Sequence, residues 1–291
     1  MARSAVPSRR NRDVLMAVIT LDDLLGCLEV RQLRPGVWTA PNIEMDYPRI
    51  FGGQLLAQAV ALGAATTEGK VVKSLSCLFP REGSTTDPLT FEVEETQTGR
   101  TFALRRIRAT QHGKTIFAAM LSMHVLEHAS AFEHQEPAPD AGHPDEAAAT
   151  DMSMIPWTTR VTGDADLRDP APAPPRYAFW TRVEDRPLGD DPAVHQALLA
   201  HATDLTIVGT VLLPVEGVSQ ADSYHTLHTA VTSHTVWFHR PFRLDGWCLI
   251  AQHSPTLARA RGFGQGHAFD AGGALVASFA QECMIRPIDQ G

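Results

Sequence analysis

The chain carries one segment twice. Moved by 159 residues, VKSLSCLFPR (Val72–Arg81) falls on VTSHTVWFHR (Val231–Arg240), so that Val72, Ser74, Phe79 and Arg81 meet Val231, Ser233, Phe238 and Arg240. The same shift carries Arg100 onto Arg259 and Gly113 onto Gly272 without a gap. Both copies alternate β-branched or aromatic residues with polar ones and stop at a proline, the pattern of a strand. A sheet unit present twice in one chain predicts an intramolecular pseudo-dimer. Its two halves join along Lys73–Pro80 and Thr232–His239, because each unit alone leaves an edge to cover.

Each copy has a helix ahead of its strands. Gly52-Gly53 opens a run that is apolar or small nearly all round (Leu55, Leu56, Ala57, Ala59, Val60, Ala61, Leu62), and a helix with no polar face must be covered on most sides. Strands follow over 71–80, 89–97, 101–110 and 114–126, separated by Gly83, Asp87-Pro88, Gly99 and Gly113. In the second copy Asp191-Pro192 reads as a cap and first helical residue, with Val194, Leu198, Ala202 and Leu205 as the stripe. Strands return over 229–240, 247–253, 258–269 and 274–285, after a loop-rich insertion over 209–224. A buried helix followed by an antiparallel sheet is α+β, and a curved sheet wrapped round a central helix satisfies both patterns. The expected domains are a disordered tail over 1–19, a first unit over 20–134, an Ala/Pro-rich linker over 135–175 and a second unit over 176–291. Thr20 with Asp22 and Asp23 predicts a short capped helix at the start of the first unit.

Composition narrows the partners. A formal net charge of −8 argues against nucleic acid. No run reaches membrane-spanning length. Cys27, Cys77, Cys248 and Cys283 are scattered and have no metal spacing, which predicts free thiols and a cytoplasmic protein. None of the thirteen histidines has convincing ligand spacing, so no metal is expected. The serine-hydrolase elbow, phosphate loop and dinucleotide fingerprint are also missing. What remains is polar residues in apolar settings: Asp204 beside the second helix stripe, and Gln281 on a strand face shared with Leu275, Ala277, Phe279 and Cys283. From the residues alone, Asp204 reads first as a solvated helix aspartate and Gln281 as a core amide satisfied by backbone.

The set FGGQLLAQA, GRTFALRR, QHGKTIF, FEHQ, HQALLAHATDL, WFHRPF, ARGFGQG and LVASFAQE, spread over 21–284, resembles the type II acyl-CoA thioesterases. WFHRPF with VASxxQE is the specific part. The resemblance implies a double hotdog: two hotdog units in one chain, each a long helix wrapped by an antiparallel sheet. It implies hydrolysis of fatty acyl-CoA to fatty acid and CoA by an activated water, with no cofactor, in lipid metabolism. The family's Asp and Gln fall on Asp204 and Gln281. Its Ser/Thr-x-Asp-His falls on Val231, Thr232, Ser233 and His234, so the hydroxyl position is Val231 and the acidic position is Ser233. Thr232 is the neighbouring hydroxyl, and only a bulge would turn it to the face of its neighbours. The expected site is therefore catalytic Asp204, Gln281 and Thr232, with Val231, Ser233 and His234 against the substrate. The first copy departs too, with Pro80-Arg81 where the family has Arg-Pro. These departures predict a slow or re-specialised hydrolase. Two other readings stay open: an acyl-CoA binder that has lost its hydroxyl, and a hotdog dehydratase using His201 and Asp204. Homo-oligomerisation is expected, because such sheets have a second face to cover.

Overall fold

A computed structural model of the chain describes residues 19–45, 49–127 and 132–288. In chain order the elements are α1 Leu21–Gly26, β1 Arg31–Arg34, β2 Val37–Ala40, α2 Gly52–Ala65, β3 Val71–Leu78, β4 Leu89–Thr98, β5 Phe102–Gln111 and β6 Lys114–His124. The second half follows with β7 Ala148–Ala149, β8 Thr158–Thr162, β9 Arg176–Arg182, α3 Pro192–Ala202 and α4 Ile207–Leu212. It ends with β10 Leu227–Phe238, β11 Cys248–Ala258, β12 Arg261–Asp270 and β13 Leu275–Pro287. All thirteen strands form one sheet, ordered β1-β2-β4-β5-β6-β3-β10-β13-β12-β11-β9-β8-β7. The two halves meet at β3 and β10, which run antiparallel with Ser233 opposite Leu78, Thr235 opposite Ser76 and Trp237 opposite Ser74. Thr235 and Ser76 are repeat counterparts, and the Thr235 hydroxyl donates to Ser76 Oγ at 3.1 Å. The pseudo-two-fold therefore passes between them.

The repeat holds strand by strand, with one correction to its gapless reading. Phe102 begins β5 and pairs with His124, while its counterpart Arg261 begins β12 and pairs with Met284. The last strand of the second half thus lies one residue further along than the uniform shift places it. The turns explain this. His112 and Gly113, both with positive φ, close the β5–β6 hairpin tightly. The β12–β13 hairpin is longer and is organised by the Asp270 carboxylate, which accepts from Gly272 N–H and Ala274 N–H, both at 2.9 Å. The register counterparts across the halves are therefore His234 with Leu75 and Gln281 with Leu121.

The core lies between the sheet and the helices. Helix α2 is buried nearly all round, as its sequence requires, and packs against α3. Its two glutamines hold the preceding loop. Gln54 Oε1 accepts from Ile43 N–H, and Gln58 Nε2 donates to the carbonyls of Cys27 and Pro41. Helix α1 has the expected cap, with Thr20 and Asp23 bonded reciprocally. The expected tail over 1–19 lies outside the described residues except for Ile19, which is buried.

The stretch 135–175 is more than a surface linker. It supplies β7 and β8, which pair onward from β9 and extend the second half of the sheet. Trp157 anchors it by donating from Nε1 to Thr181 Oγ1 at 2.6 Å. The proline-rich composition concealed these strands because only Thr158–Thr162 has a β-branched run. Among the described residues, no helix is long and apolar enough to cross a membrane.

Candidate active site

Helix α3 ends at Ala202, and a turn separates it from α4. Asp204 lies in that turn rather than on the helix. It is only 2% exposed, which removes the reading of a solvated surface residue. The turn faces the N-terminus of α2, where Gly53 N–H donates to Asp204 Oδ2 at 3.0 Å. A helix N-terminus holds unpaired N–H groups and positive dipole, so the carboxylate serves as its cap from the other half of the molecule. The approach depends on the glycine pair. A methyl on Gly52 would stand 2.7 Å from Asp204 Oδ2, and one on Gly53 would stand 2.6 Å from the His201 carbonyl.

The sheet brings the other side of the site. β10 bulges at Thr232, so Val231 opposes Cys283, Ser233 opposes Glu282 and His234 opposes Gln281. His234 is fully buried. Its Nδ1 lies 2.9 Å from Gln281 Oε1 and 3.8 Å from Asp204 Oδ1, and its Nε2 lies 3.1 Å from Thr203 Oγ1. Two buried polar atoms here hydrogen-bond to no protein group: Asp204 Oδ1 and Gln281 Nε2. Buried polar atoms are rarely left so, and an acceptor and a donor left together in one apolar setting mark a place for a polar ligand atom.

Burial sets the charges. Desolvation raises the Asp204 carboxyl to about 7, and the hydrogen bond from Gly53 only partly opposes it. Desolvation lowers His234 to about 4, so its imidazole is neutral near pH 7 and its contact with Asp204 is not an ion pair. His201 is likewise held low, to about 4, by burial.

The expected residues thus separate. Asp204, Gln281 and His234 come together, and Val231, opposite Cys283, shares their face of β10; Ser233, opposite Glu282 and Leu78, lies on the other face. Thr232 stands apart from the centre. The bulge it needed is present, yet its hydroxyl is 3.1 Å from both the Glu282 carbonyl and the Glu282 carboxylate. The reason is geometric. The bulged residue sits over the neighbouring strand position, whose partner is Glu282 rather than Gln281. His201 and Asp204 do not form a pair, because His201 Nε2 bonds the Met154 carbonyl at 2.6 Å. Gly53 and Thr203 are the contributors that sequence reading missed. The Gly52-Gly53 pair at a helix start was a signal for close backbone approach; Thr203 gave none. Among the described residues, no cluster of metal-ligating side chains occurs.

Comparison with known proteins places the chain in a family. The family described as Acyl-CoA thioesterase matches residues 174–284, and the Acyl-CoA thioesterase N-terminal domain matches residues 41–124. Acyl-coenzyme A thioesterase 8 of Mus musculus is 30% identical over 263 residues, covering 82% of this chain and 80% of that protein. Acyl-CoA thioesterase 2 of Haemophilus influenzae is 28% identical, covering 91% and 98%. The crystal structure of an acyl-CoA thioesterase II from Mycobacterium marinum superposes with a TM-score of 0.77 at 31% identity, covering 92% and 100%. A hotdog-fold protein from Alicyclobacillus acidocaldarius has a TM-score of 0.74 at 15% identity, covering 91% and 98%, and shares the fold. With its double hotdog sheet and its matches over both halves, the chain belongs to the type II acyl-CoA thioesterases.

Proposed function

We propose that the chain hydrolyses fatty acyl-CoA at the single centre formed by Asp204 and Gln281. The observation that carries this reading is the pair of unpartnered buried atoms, Asp204 Oδ1 and Gln281 Nε2. Ionised Asp204 takes a proton from water through Oδ1, and the oxygen attacks the thioester carbonyl. Gln281 Nε2 donates to the oxyanion that forms. The intermediate collapses with cleavage of the C–S bond, releasing CoA thiolate and the fatty acid. A thiolate leaves well, so no covalent enzyme intermediate is required. The Gly53 N–H holds Oδ2 and thereby aims Oδ1. Val231 offers no hydroxyl to the attacking water, and the Thr232 hydroxyl is engaged by Glu282, so basal turnover is slow.

Thiol release from a series of straight and branched acyl-CoA substrates tests this. Steady release of one thiol per acid formed supports it. Tight acyl-CoA binding with no release would favour the non-catalytic binder instead. The centre of the outer sheet face exposes Leu78, Met120 and Trp237, at 61%, 44% and 43%. This apolar surface supports self-association, which light scattering of the purified chain reads directly.

A further inference from the structure

His234 sits at the middle of the candidate centre with both ring nitrogens engaged, and the direction of each bond has a consequence. The Thr203 hydroxyl has one proton and two acceptors in reach: the Ala200 carbonyl at 2.8 Å and His234 Nε2 at 3.1 Å. If the proton goes to Ala200, Nε2 must carry the imidazole hydrogen. Nδ1 then turns a lone pair toward Gln281 Oε1 at 2.9 Å and Asp204 Oδ1 at 3.8 Å, acceptor against acceptor. If the proton goes to Nε2, the hydrogen sits on Nδ1. It then donates to Gln281 Oε1 and also faces the carboxylate favourably. With the Gln281 amide in this orientation, only the second arrangement makes both Nδ1 contacts attractive. It leaves both N–H bonds of Gln281 Nε2 free for the reacting atoms.

We infer that His234 is a positioning residue: as its Nδ1–H tautomer, set by the Thr203 hydroxyl, it clamps the Gln281 carbonyl so that the amide N–H groups face the thioester. A primary amide is nearly symmetric in shape, so without the clamp it turns over and presents oxygen to the oxyanion. The role rests on Gln281 acting at the reacting carbon. The other half shows that the sheet does not need this histidine to fold, since the counterparts of His234 and Gln281 are Leu75 and Leu121, both fully buried.

The test combines a spectrum with a rescue. In protein labelled with ¹⁵N-histidine, the two ring nitrogens of His234 report the tautomer at pH 7, with His234→Leu supplying the assignment. The expected signature is protonated Nδ1; protonated Nε2 overturns the clamp. His234→Leu is expected to fold and to lose about 10- to 100-fold in kcat with KM little changed. His234→Asn, whose amide N–H falls near the Nδ1 position, restores most of that loss. His234→Gln, which places its N–H at the Nε2 position, does not. An Asn variant no better than Leu overturns the proposal. Gln281→Leu separates the two levels: wild-type turnover there removes the catalytic reading and the clamp with it. Loss there without Asn rescue removes the clamp alone. Should His234→Leu not fold, the wild-type tautomer, assigned through His234→Asn, still decides.

Discussion

Across β10 and β13, His234 faces Gln281; at the same register across β3 and β6, Leu75 faces Leu121. One backbone arrangement, including a bulge at Lys73 in one half and Thr232 in the other, carries a polar pair on one side of the pseudo-two-fold and an apolar pair on the other. The apolar pair shows what the fold needs for stability. The polar pair is the costlier one to bury, since an amide and an imidazole cost free energy unless bonded. Apart from the bond between them, their support comes from outside the strands. Thr203 and Asp204 belong to the turn after α3, and Gly53 belongs to α2 of the other half. At this register one half thus carries apolar contacts alone, and the other carries the candidate site.

The largest expected effect comes from making the second half resemble the first. Gln281→Leu removes the candidate oxyanion donor and is expected to lower kcat about 10²- to 10³-fold. Stability is expected to fall by about 1–3 kcal/mol, because the buried His234 Nδ1 loses its partner at 2.9 Å, Gln281 Oε1. Unfolding midpoints and thiol release on the same preparation check both. The reverse exchange, Leu75→His with Leu121→Gln, imports the pair without the Thr203 and Asp204 counterparts. It is expected to cost about 2–4 kcal/mol in urea unfolding and to create no second activity. A doubled rate would show that the sheet pair alone suffices.

A moderate effect is expected at the helix contact. Gly52→Ala places a methyl 2.7 Å from Asp204 Oδ2 and should lower kcat about 10-fold by displacing the carboxylate. Gly26→Ala is the control, since a methyl there meets nothing within 4 Å. The smallest changes concern the missing hydroxyl. Val231→Ser is expected to raise kcat several-fold, whereas its counterpart Val72→Ser, in a position 1% exposed, should only reduce stability. Thr232→Val should leave kcat unchanged, because the hydroxyl serves Glu282. Silencing by that variant would return Thr232 to the catalytic centre.

Much of this was legible in the sequence because a repeat reads itself. The shift that joins Ser76 to Thr235 located the seam of the sheet, and the apolar run after Gly52-Gly53 required a covered helix. The extra residue in the last hairpin was not legible, because Gly113 meets Gly272 equally well in a gapless alignment. Burial of Asp204 was also hidden. A local stripe predicts which helix face is apolar, while the cover over the turn comes from α2, some 151 residues away. The bulge at Thr232 was foreseen as necessary, but the partner that captures its hydroxyl depends on register with β13.

As a buried base, Asp204 is expected to move rate and stability in opposite directions as pH changes. Its folded-state carboxyl lies at about 7, above the ordinary 3.8, so folding favours the protonated form. Stability therefore falls as pH rises from about 4 to about 7, while hydrolysis, which needs the carboxylate, rises toward the top of that window. The stability difference amounts to roughly 4 kcal/mol at about 1.36 kcal/mol per unit. The decisive measurement is Asp204→Asn against wild type, in thiol release and thermal unfolding from pH 4 to pH 8. The account predicts that the variant loses hydrolysis, melts with wild type near pH 4 and melts higher at pH 8. A variant that releases CoA at the wild-type rate, with an unfolding temperature that tracks wild type across the range, would contradict it.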